Sequence, residues 1–156
     1  MIEKVSRRVG KKLKAAQSML VTAESCTGGW VAQAITSVAG SSNWFERGYV
    51  TYSNAAKREL LGVSQKILST KGAVSEETAR AMARGALRKG RGGISVAITG
   101  IAGPGGGAPG KPVGTVCFAW ARGRSMRSET RRFRGGRSRV RRQSVIHALR
   151  GVLRCL

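Results

Sequence analysis

A serine in a short glycine-containing turn is the first residue whose setting suits chemistry. Ser25 lies in the segment Glu24 to Gly29, between an apolar stretch and a helical one. A hydroxyl at the junction of a strand and a helix is exposed, and the backbone N–H groups there can hold an oxyanion or a phosphate. Gly28 and Gly29 let a substrate approach the backbone. The segment also fits a simple capped turn with Thr27 as N-cap.

Lys57 is the second candidate, because its predicted position disfavours the charged form of its amine. If Asn54 caps the helix that follows, Lys57 is its third residue, where a cation opposes the helix dipole. Dipole, desolvation and the large positive charge of the chain all lower a lysine pKa. A neutral lysine can take the proton of a serine hydroxyl. The alternative is an exposed lysine with its ammonium in water.

The third candidate is the glycine-rich loop at residues 99–107, which follows a buried apolar strand. Ligands bind at such strand ends in α/β sheets, and the backbone N–H groups of the loop can form an anion nest. No Gly-Lys-Ser/Thr follows, so the loop is not a P-loop, and the next element is a strand, so it is not a dinucleotide fingerprint. A flexible connector is the alternative, although Pro104 and Pro109 restrict it.

Other hydrolytic and metal chemistries lack the residues they need. The only histidine, His147, falls on the predicted last helix beside Ile146, where we expect a histidine at the edge of the core and not the base of a Ser-His-Asp triad. With one histidine and seven acids in the chain, we expect no metal site and no cofactor. A hydrolase built from this chain would use serine and lysine.

The elements that must position these residues alternate between strand and helix. Apolar patterns predict strands at 19–23, 49–52, 94–98, 115–121 and 126–133. Helices are predicted at 2–16, 30–38, 55–61, after Ser75, and at 138–153. The last two strands form a hairpin through Gly123. This order predicts one domain, residues 1–156, with an α/β/α sandwich around a mixed sheet.

Composition restricts the partners and the compartment. The net charge is +22, and residues 121–156 hold 12 Arg and one acid. An anionic partner, either nucleic acid or a phosphorylated small molecule, and a simply basic surface are both consistent with this charge. Aromatic residues do not interleave with the arginines, so we expect nucleic acid only as a non-specific electrostatic partner. Three widely spaced cysteines favour a reducing compartment, the cytoplasm, and no apolar run approaches the ~18 residues of a membrane span.

Six short motifs, in order, resemble a known family. They are T-A-E-S-C-T-G-G-W (22–30), A-G-S-S-N-W-F (39–45), V-T-Y-S-N-A-A-K (50–57), G-A-V-S-E-E-T (72–78), T-G-I-A-G-P-G-G (99–106) and K-P-V-G-T-V (111–116). The chain resembles the C-terminal domain of the competence/damage-inducible protein CinA, as found in stand-alone nicotinamide mononucleotide amidohydrolases (PncC type). The resemblance implies an α/β sandwich that releases ammonia from nicotinamide mononucleotide, without a metal, and a homo-oligomer, commonly a dimer.

The resemblance also implies roles for individual residues. It places the serine–lysine pair on Ser42 and Lys57, whereas the turn geometry above favours Ser25 as the nucleophile; the lysine is common to both interpretations. Ser25, Tyr52 and Thr99 match other active-site positions. Substrate contacts are expected from Gly28, Gly29, Thr99, Gly100, Arg137 and Arg141. The family's acid before the substrate-binding arginine is Gly136 here, which removes a partner of Arg137. A nucleic-acid-binding accessory protein and an inactive relative are the alternative functions.

Overall fold

Five strands form one mixed sheet in the computed structural model, which describes every residue from Met1 to Leu156. They are β1 (Leu20–Glu24), β2 (Phe45–Val50), β3 (Ile94–Gly100), β4 (Thr115–Arg122) and β5 (Ser125–Arg132). The spatial order is β2-β1-β3-β4-β5. β1 pairs in parallel with both β2 and β3, while β4 runs antiparallel to β3 and β5. The predicted mixed sheet and the final hairpin are therefore confirmed.

Six α-helices cover the two faces of this sheet. They are α1 (Ile2–Ala15), α2 (Trp30–Thr36), α3 (Asn54–Leu61), α4 (Gln65–Lys71), α5 (Glu76–Lys89) and α6 (Arg137–Cys155). α1, α2 and α6 pack on one another over a core of 22 buried residues, and α3 to α5 cover a core of 13 on the other face. The α/β/α sandwich is as predicted. None of the helices combines the length and apolar character that crossing a bilayer requires.

The central strand β1 is buried along its whole length, because helices cover both of its faces. Alternate side chains enter the two cores: Leu20 belongs to the larger one, and Val21 and Ala23 to the smaller one. Glu24 ends the strand with its side chain only 1% exposed. A carboxyl group buried in this way needs several hydrogen-bond donors, and these come from the turn and helix that follow.

The boundaries of α3 and its neighbours differ from the sequence-based prediction. Ser53, and not Asn54, is the N-cap: its side chain accepts a hydrogen bond from the Ala56 N–H at 3.0 Å. The helix ends at Gly62, as predicted. β2 begins at Phe45, four residues before its predicted start, because an edge strand tolerates charged residues that mask its apolar pattern. α4 was not predicted; at seven residues it is too short for a clear period.

Candidate active site

The carboxyl ends of three parallel strands meet at one edge of the sheet. Ser25 directly follows β1, Thr51 directly follows β2, and Gly100 ends β3. In this sheet the chain passes from β1 to β2 on one side and then returns to β3 on the other side of β1. Ligands of α/β proteins bind at the carboxyl ends of the strands at such a change of direction. A cavity of about 250 Å³ opens there. Its lining includes six of the predicted site residues or their neighbours: Ser25, Cys26, Tyr52, Lys57, Thr99 and Arg137.

The structure joins Ser25 to Lys57 at this cavity. The Ser25 N–H donates to the Ile98 carbonyl at 2.9 Å, which fixes the turn against β3. The Lys57 Nζ atom, from the first turns of α3, donates to Ser25 Oγ at 3.0 Å. Lys57 is 1% exposed and Ser25 is 7% exposed. A hydroxyl and an amine separated by 32 positions in sequence are thus held as a buried hydrogen-bonded pair.

Burial lowers the pKa of Lys57. Its Nζ also donates to the carbonyls of Thr51 at 2.9 Å and Tyr52 at 3.3 Å, but no carboxylate lies within 4 Å of it. Desolvation is the main cause of the lowered pKa, and a charged Cys26 would oppose it. Burial raises the pKa of Cys26 to about 12, so this thiol is neutral at pH 7. Lys57 is the fourth residue of α3, and not the third as predicted, since Ser53 is the cap.

Glu24 organises the turn that carries Ser25. Its carboxylate accepts hydrogen bonds from the Thr27 hydroxyl at 2.7 Å and from the N–H groups of Val31 and Ala32 at 2.9 and 3.0 Å. These bonds all lie on the α2 side, so Glu24 supports the helix start and leaves Lys57 without a counter-ion. Gly28 and Gly29 have positive φ angles of 59° and 98°, which let the turn close beside the carboxylate. Both glycines therefore shape the turn; neither lines the cavity.

Tyr52 and Arg137 form one wall of the cavity together with the glycine-rich loop. Arg137 Nη1 donates to the Gly103 carbonyl at 2.8 Å, and Nη2 donates to the Tyr52 hydroxyl at 3.2 Å. Thr99 also lines the cavity, and its hydroxyl donates to the Ala73 carbonyl at 2.7 Å. Gly100 lies beside these groups in the lining. The structure thus brings Tyr52, Thr99, Gly100 and Arg137 together around the Ser25–Lys57 pair.

Ser42 does not form the pair with Lys57 that the resemblance implied. It is an exposed residue of a short 3-10 turn, Ser41–Asn43, which precedes β2. Lys57 follows the other end of that strand. β2 has six residues, which corresponds to about 20 Å at ~3.3 Å per residue. Within the chain the hydroxyl bonded to Lys57 is that of Ser25, as the turn geometry favoured, and a catalytic role for Ser42 stays a prediction.

Arg141 lies outside the cavity lining, contrary to its predicted contact with substrate. Its Nε and Nη2 atoms donate to the carbonyls of Cys26 at 3.0 Å and Thr27 at 3.1 Å. Its guanidinium carbon lies 5.5 Å from the centre of the Trp30 ring. Two bonded nitrogen atoms and a stacked face hold this side chain against the Ser25 turn from the α6 side.

The sequence predicts backbone N–H donors at the Ser25 turn and in the glycine-rich loop, but not the backbone carbonyls that bind Lys57. The carbonyls of Thr51 and Tyr52 hold the lysine, and the N–H groups of Cys26 and Thr27 donate to no acceptor within the chain. Residues 105–107 of the glycine-rich loop likewise donate no backbone hydrogen bond. No side-chain pattern marks these carbonyls, because the direction of a carbonyl depends on the local backbone and not on residue type.

This arrangement is suited to acyl transfer. A hydroxyl with a buried amine as proton acceptor can attack a carbonyl carbon, and free N–H groups next to the hydroxyl can stabilise the oxygen that becomes negative. His147 lies elsewhere, half-buried against Phe118 and bonded to Glu129 at 2.7 Å, as expected for an edge-of-core residue. No three His, Cys, Asp or Glu side chains come together in a geometry that could hold a metal ion.

Comparison with known proteins gives a consistent picture. The family model named CinA C-terminal domain matches residues 2–156 of this chain. The nicotinamide-nucleotide amidohydrolase PncC of Pseudomonas putida is 52% identical over 97% of this chain and 95% of its own length. The protein of the same name from Escherichia coli K12 is 54% identical over 93% of this chain and 88% of its own.

A solved structure has the same fold. The crystal structure of a competence-damaged protein (CinA) superfamily protein from Escherichia coli superimposes with a TM-score of 0.97 and 38% identity, covering 100% of this chain and 91% of the other. A near-complete family match, relatives more than 50% identical and a shared fold all agree with the six motifs. The chain belongs to the CinA C-terminal domain family.

Proposed function

We propose that this protein hydrolyses nicotinamide mononucleotide to nicotinic acid mononucleotide and ammonia, with Ser25 as nucleophile and Lys57 as general base. The observation that carries the proposal is the 3.0 Å hydrogen bond between a buried lysine without a counter-ion and a serine at the cavity. The names of the relatives supply the substrate. The Ser25–Lys57 pair in the cavity lining supplies the nucleophile and the base that hydrolysis of an amide needs.

In the first half of the reaction, neutral Lys57 takes the hydroxyl proton and Ser25 Oγ forms a bond to the carboxamide carbon. The carbonyl oxygen becomes an oxyanion, which the free N–H group of Cys26 in the cavity lining stabilises. The carbon–nitrogen bond then breaks. Protonated Lys57 gives its proton to the departing nitrogen, so ammonia leaves and a nicotinoyl ester remains on Ser25.

In the second half, water replaces ammonia and the steps run in reverse order. Lys57 takes a proton from water, whose oxygen attacks the ester carbon. When the bond to Ser25 Oγ breaks, Lys57 returns that proton to the serine. The products are the nicotinic acid mononucleotide and the regenerated Ser25–Lys57 pair, so no cofactor or metal enters the balance.

The phosphate of the substrate would lie against Arg137 and the glycine-rich loop. Arg137 lines the cavity and is held at two points, yet its guanidinium has five N–H donors and the structure uses two of them. Gly105 and Gly106, whose N–H groups are unpaired, line the same cavity. A phosphorylated substrate gives this part of the positive charge a specific task.

Ammonia release by single-residue variants tests the proposal. We expect Ser25→Ala and Lys57→Ala each to lower kcat by at least about 1000-fold, because each removes a group that acts in the transition state. Ser42→Ala is the matched control: it removes an exposed hydroxyl, and we expect it to keep kcat within about twofold of the parent. Intact mass measurement after rapid quenching should show an acyl adduct on the parent protein and none on Ser25→Ala.

Two results would contradict the mechanism. One is a Lys57→Ala protein that releases ammonia at the parent rate. The other is loss of activity in Ser42→Ala with full activity in Ser25→Ala. An inactive parent protein would identify the chain as a non-catalytic relative. The homodimer, the cytoplasmic location and the non-specific contact with nucleic acid stay predictions from the sequence.

A further inference from the structure

Arg141 makes contacts that a phosphate-binding residue would not need. Two of its nitrogen atoms are bonded to the Cys26 and Thr27 carbonyls, and its face lies against Trp30. It is absent from the cavity lining. Arg141 therefore binds the backbone of the Ser25 turn from outside the cavity and restrains the conformation of that turn.

The hydrogen bonds lead from Arg141 to the residue after the nucleophile. Arg141 donates to the Thr27 carbonyl, whose peptide unit carries the Gly28 N–H; that N–H donates to the Ser25 carbonyl at 3.0 Å. The peptide unit of the Ser25 carbonyl carries the Cys26 N–H, which donates to nothing in the chain. The second bond of Arg141, to the Cys26 carbonyl, fixes the following peptide unit of the same turn.

A trans peptide unit directs its C=O and its N–H in opposite directions. A cation bonded to the carbonyl therefore fixes the rotation of the unit and points its N–H away from the cation. Hydrogen bonds in series also polarise one another, so a guanidinium at one end makes the N–H at the other end a stronger donor. The free Cys26 N–H, in the cavity lining, lies at the end of the peptide path that begins where Arg141 binds the Thr27 carbonyl.

We propose that Arg141 is a positioning residue, which orients and polarises the backbone N–H group of Cys26 as the oxyanion donor of the reaction without touching the substrate. The inference rests on the proposed function of Ser25 as nucleophile. It assigns α6 a second role beside carrying Arg137: one turn of the helix faces the cavity, and the next holds the nucleophile turn from behind.

Steady-state ammonia release from nicotinamide mononucleotide separates positioning from phosphate binding. A lost oxyanion donor costs about 100- to 1000-fold in kcat, and a loosened one should cost less. We expect Arg141→Gln to lower kcat about 10- to 100-fold with KM within about threefold of the parent. Arg137→Gln should instead raise KM and change kcat little, because Arg137 is expected to bind the phosphate. A rise of KM by about tenfold or more in Arg141→Gln at unchanged kcat would overturn the inference.

Labelling of Ser25 by a small fluorophosphonate gives a readout that does not depend on the substrate. Ser25 Oγ forms a bond to phosphorus, fluoride leaves, and the hydroxyl proton passes to Lys57; the phosphoryl oxygen needs the same N–H donor. We expect Arg141→Gln to slow the labelling, followed by intact mass, at least about tenfold. If Arg141→Gln is labelled slowly but the parent protein releases no ammonia, the inference is supported and the proposed function is refuted. Labelling at the parent rate would refute the inference alone.

Two further variants guard against a purely structural effect. Arg142→Gln is the matched control, because Arg142 is the exposed neighbour on α6 without a hydrogen-bond partner, and we expect it to label and turn over as the parent does. Arg141→Lys keeps the charge but can replace only one of two bonds, and its labelling rate should lie between those of parent and Arg141→Gln. If Arg141→Lys is labelled as slowly as Arg141→Gln while both variants have the Tm of the parent, the positive charge has no effect on labelling. That result would refute the polarisation of the N–H donor by Arg141. A parent protein that neither releases ammonia nor labels would refute both proposals.

Discussion

At the scale of single residues, the fold maintains an amine where its charged form is disfavoured. Lys57 is 1% exposed and has three oxygen partners, none of them a carboxylate. The carboxylate next to the nucleophile, Glu24, is turned away toward α2. An ion pair between the two would have held the lysine charged and removed its value as a base. The separation of this acid from this base is therefore the central electrostatic feature of the site.

The lowered pKa of Lys57 gives a pH-dependence with a definite sign. The catalyst is the neutral amine, so kcat/KM should rise as pH increases through the lowered pKa and level off below 10.5, the ordinary lysine value. A profile measured by ammonia release checks this. Tyr52→Phe serves as control, because it removes a cavity hydroxyl that does not contact the Lys57 amine and should leave the rising limb in place. A rise that only begins near pH 10.5 would contradict a desolvated base.

The same pKa also governs stability. The folded protein binds fewer protons at Lys57 than the unfolded chain does, so this residue costs stability at neutral pH, and the cost disappears as pH rises toward 10.5. The free energy of unfolding of Lys57→Met relative to the parent should therefore fall as pH is raised from about 7 toward about 10. Denaturant unfolding of the parent and of Lys57→Met at each pH measures this difference.

At the scale of elements, the position of Lys57 depends on how closely α3 approaches α5. Gly85 on α5 faces the last residue of α3, Leu61, and a Cβ atom at Gly85 would overlap the Leu61 carbonyl oxygen. The glycine is thus required by backbone contact and not by its own φ angle. Because Lys57 lies one helical turn before Leu61, this contact sets the depth at which the lysine amine reaches Ser25.

Gly85→Ala should therefore weaken both the fold and the site. Alanine gains about 1 kcal/mol over glycine inside a helix, but overpacking against rigid backbone costs about 1–3 kcal/mol, and here the obstacle is a carbonyl that cannot rotate away. We expect a net loss of about 2 kcal/mol and a Tm lower by about 5 °C. Gly105→Ala is the control, since a Cβ added at Gly105 would have no neighbour within 4 Å. A Gly85→Ala protein that melts with the parent would refute the close approach.

The sequence predicted the elements well where periodicity was long or capping residues were distinct. The 14 residues of α5 begin at the predicted cap Ser75, and β3 and β4 lie within two residues of prediction. α4 and the start of β2 were not recovered, because seven residues give no reliable helical period and an edge strand carries charges. For the site, Ser25 and Lys57 were found individually from their turn and helix positions. The hydrogen bond between Ser25 and Lys57, and the orientation of the Glu24 carboxylate toward α2, depend on how separate elements pack together. A local sequence pattern does not predict such packing.

At the scale of the whole molecule, the surface carries positive charge that the chain does not neutralise. Only four of the 29 Lys and Arg side chains, Arg7, Arg47, Arg131 and Arg154, have a carboxylate within 4 Å. Glu129 alone serves two of them and His147 as well. Residues 121–156, which include β5 and α6, carry half of the excess charge, because 12 arginines and one acid give +11 of the net +22. The effect of this charge on the folded state is mutual repulsion across the surface.

Added salt should therefore stabilise this protein. The Debye length falls from about 30 Å at 0.01 M to about 10 Å at 0.1 M ionic strength, which screens repulsion between arginines on neighbouring elements. We expect Tm, measured by calorimetry, to rise by several degrees between about 10 and 300 mM NaCl. Arg142→Glu tests the cause, because it reverses one exposed charge that has no partner: it should melt above the parent at low salt and approach it at high salt. A Tm that is flat in salt, or a charge reversal whose effect does not shrink as salt is added, would show that the denatured chain experiences the same repulsion as the folded one.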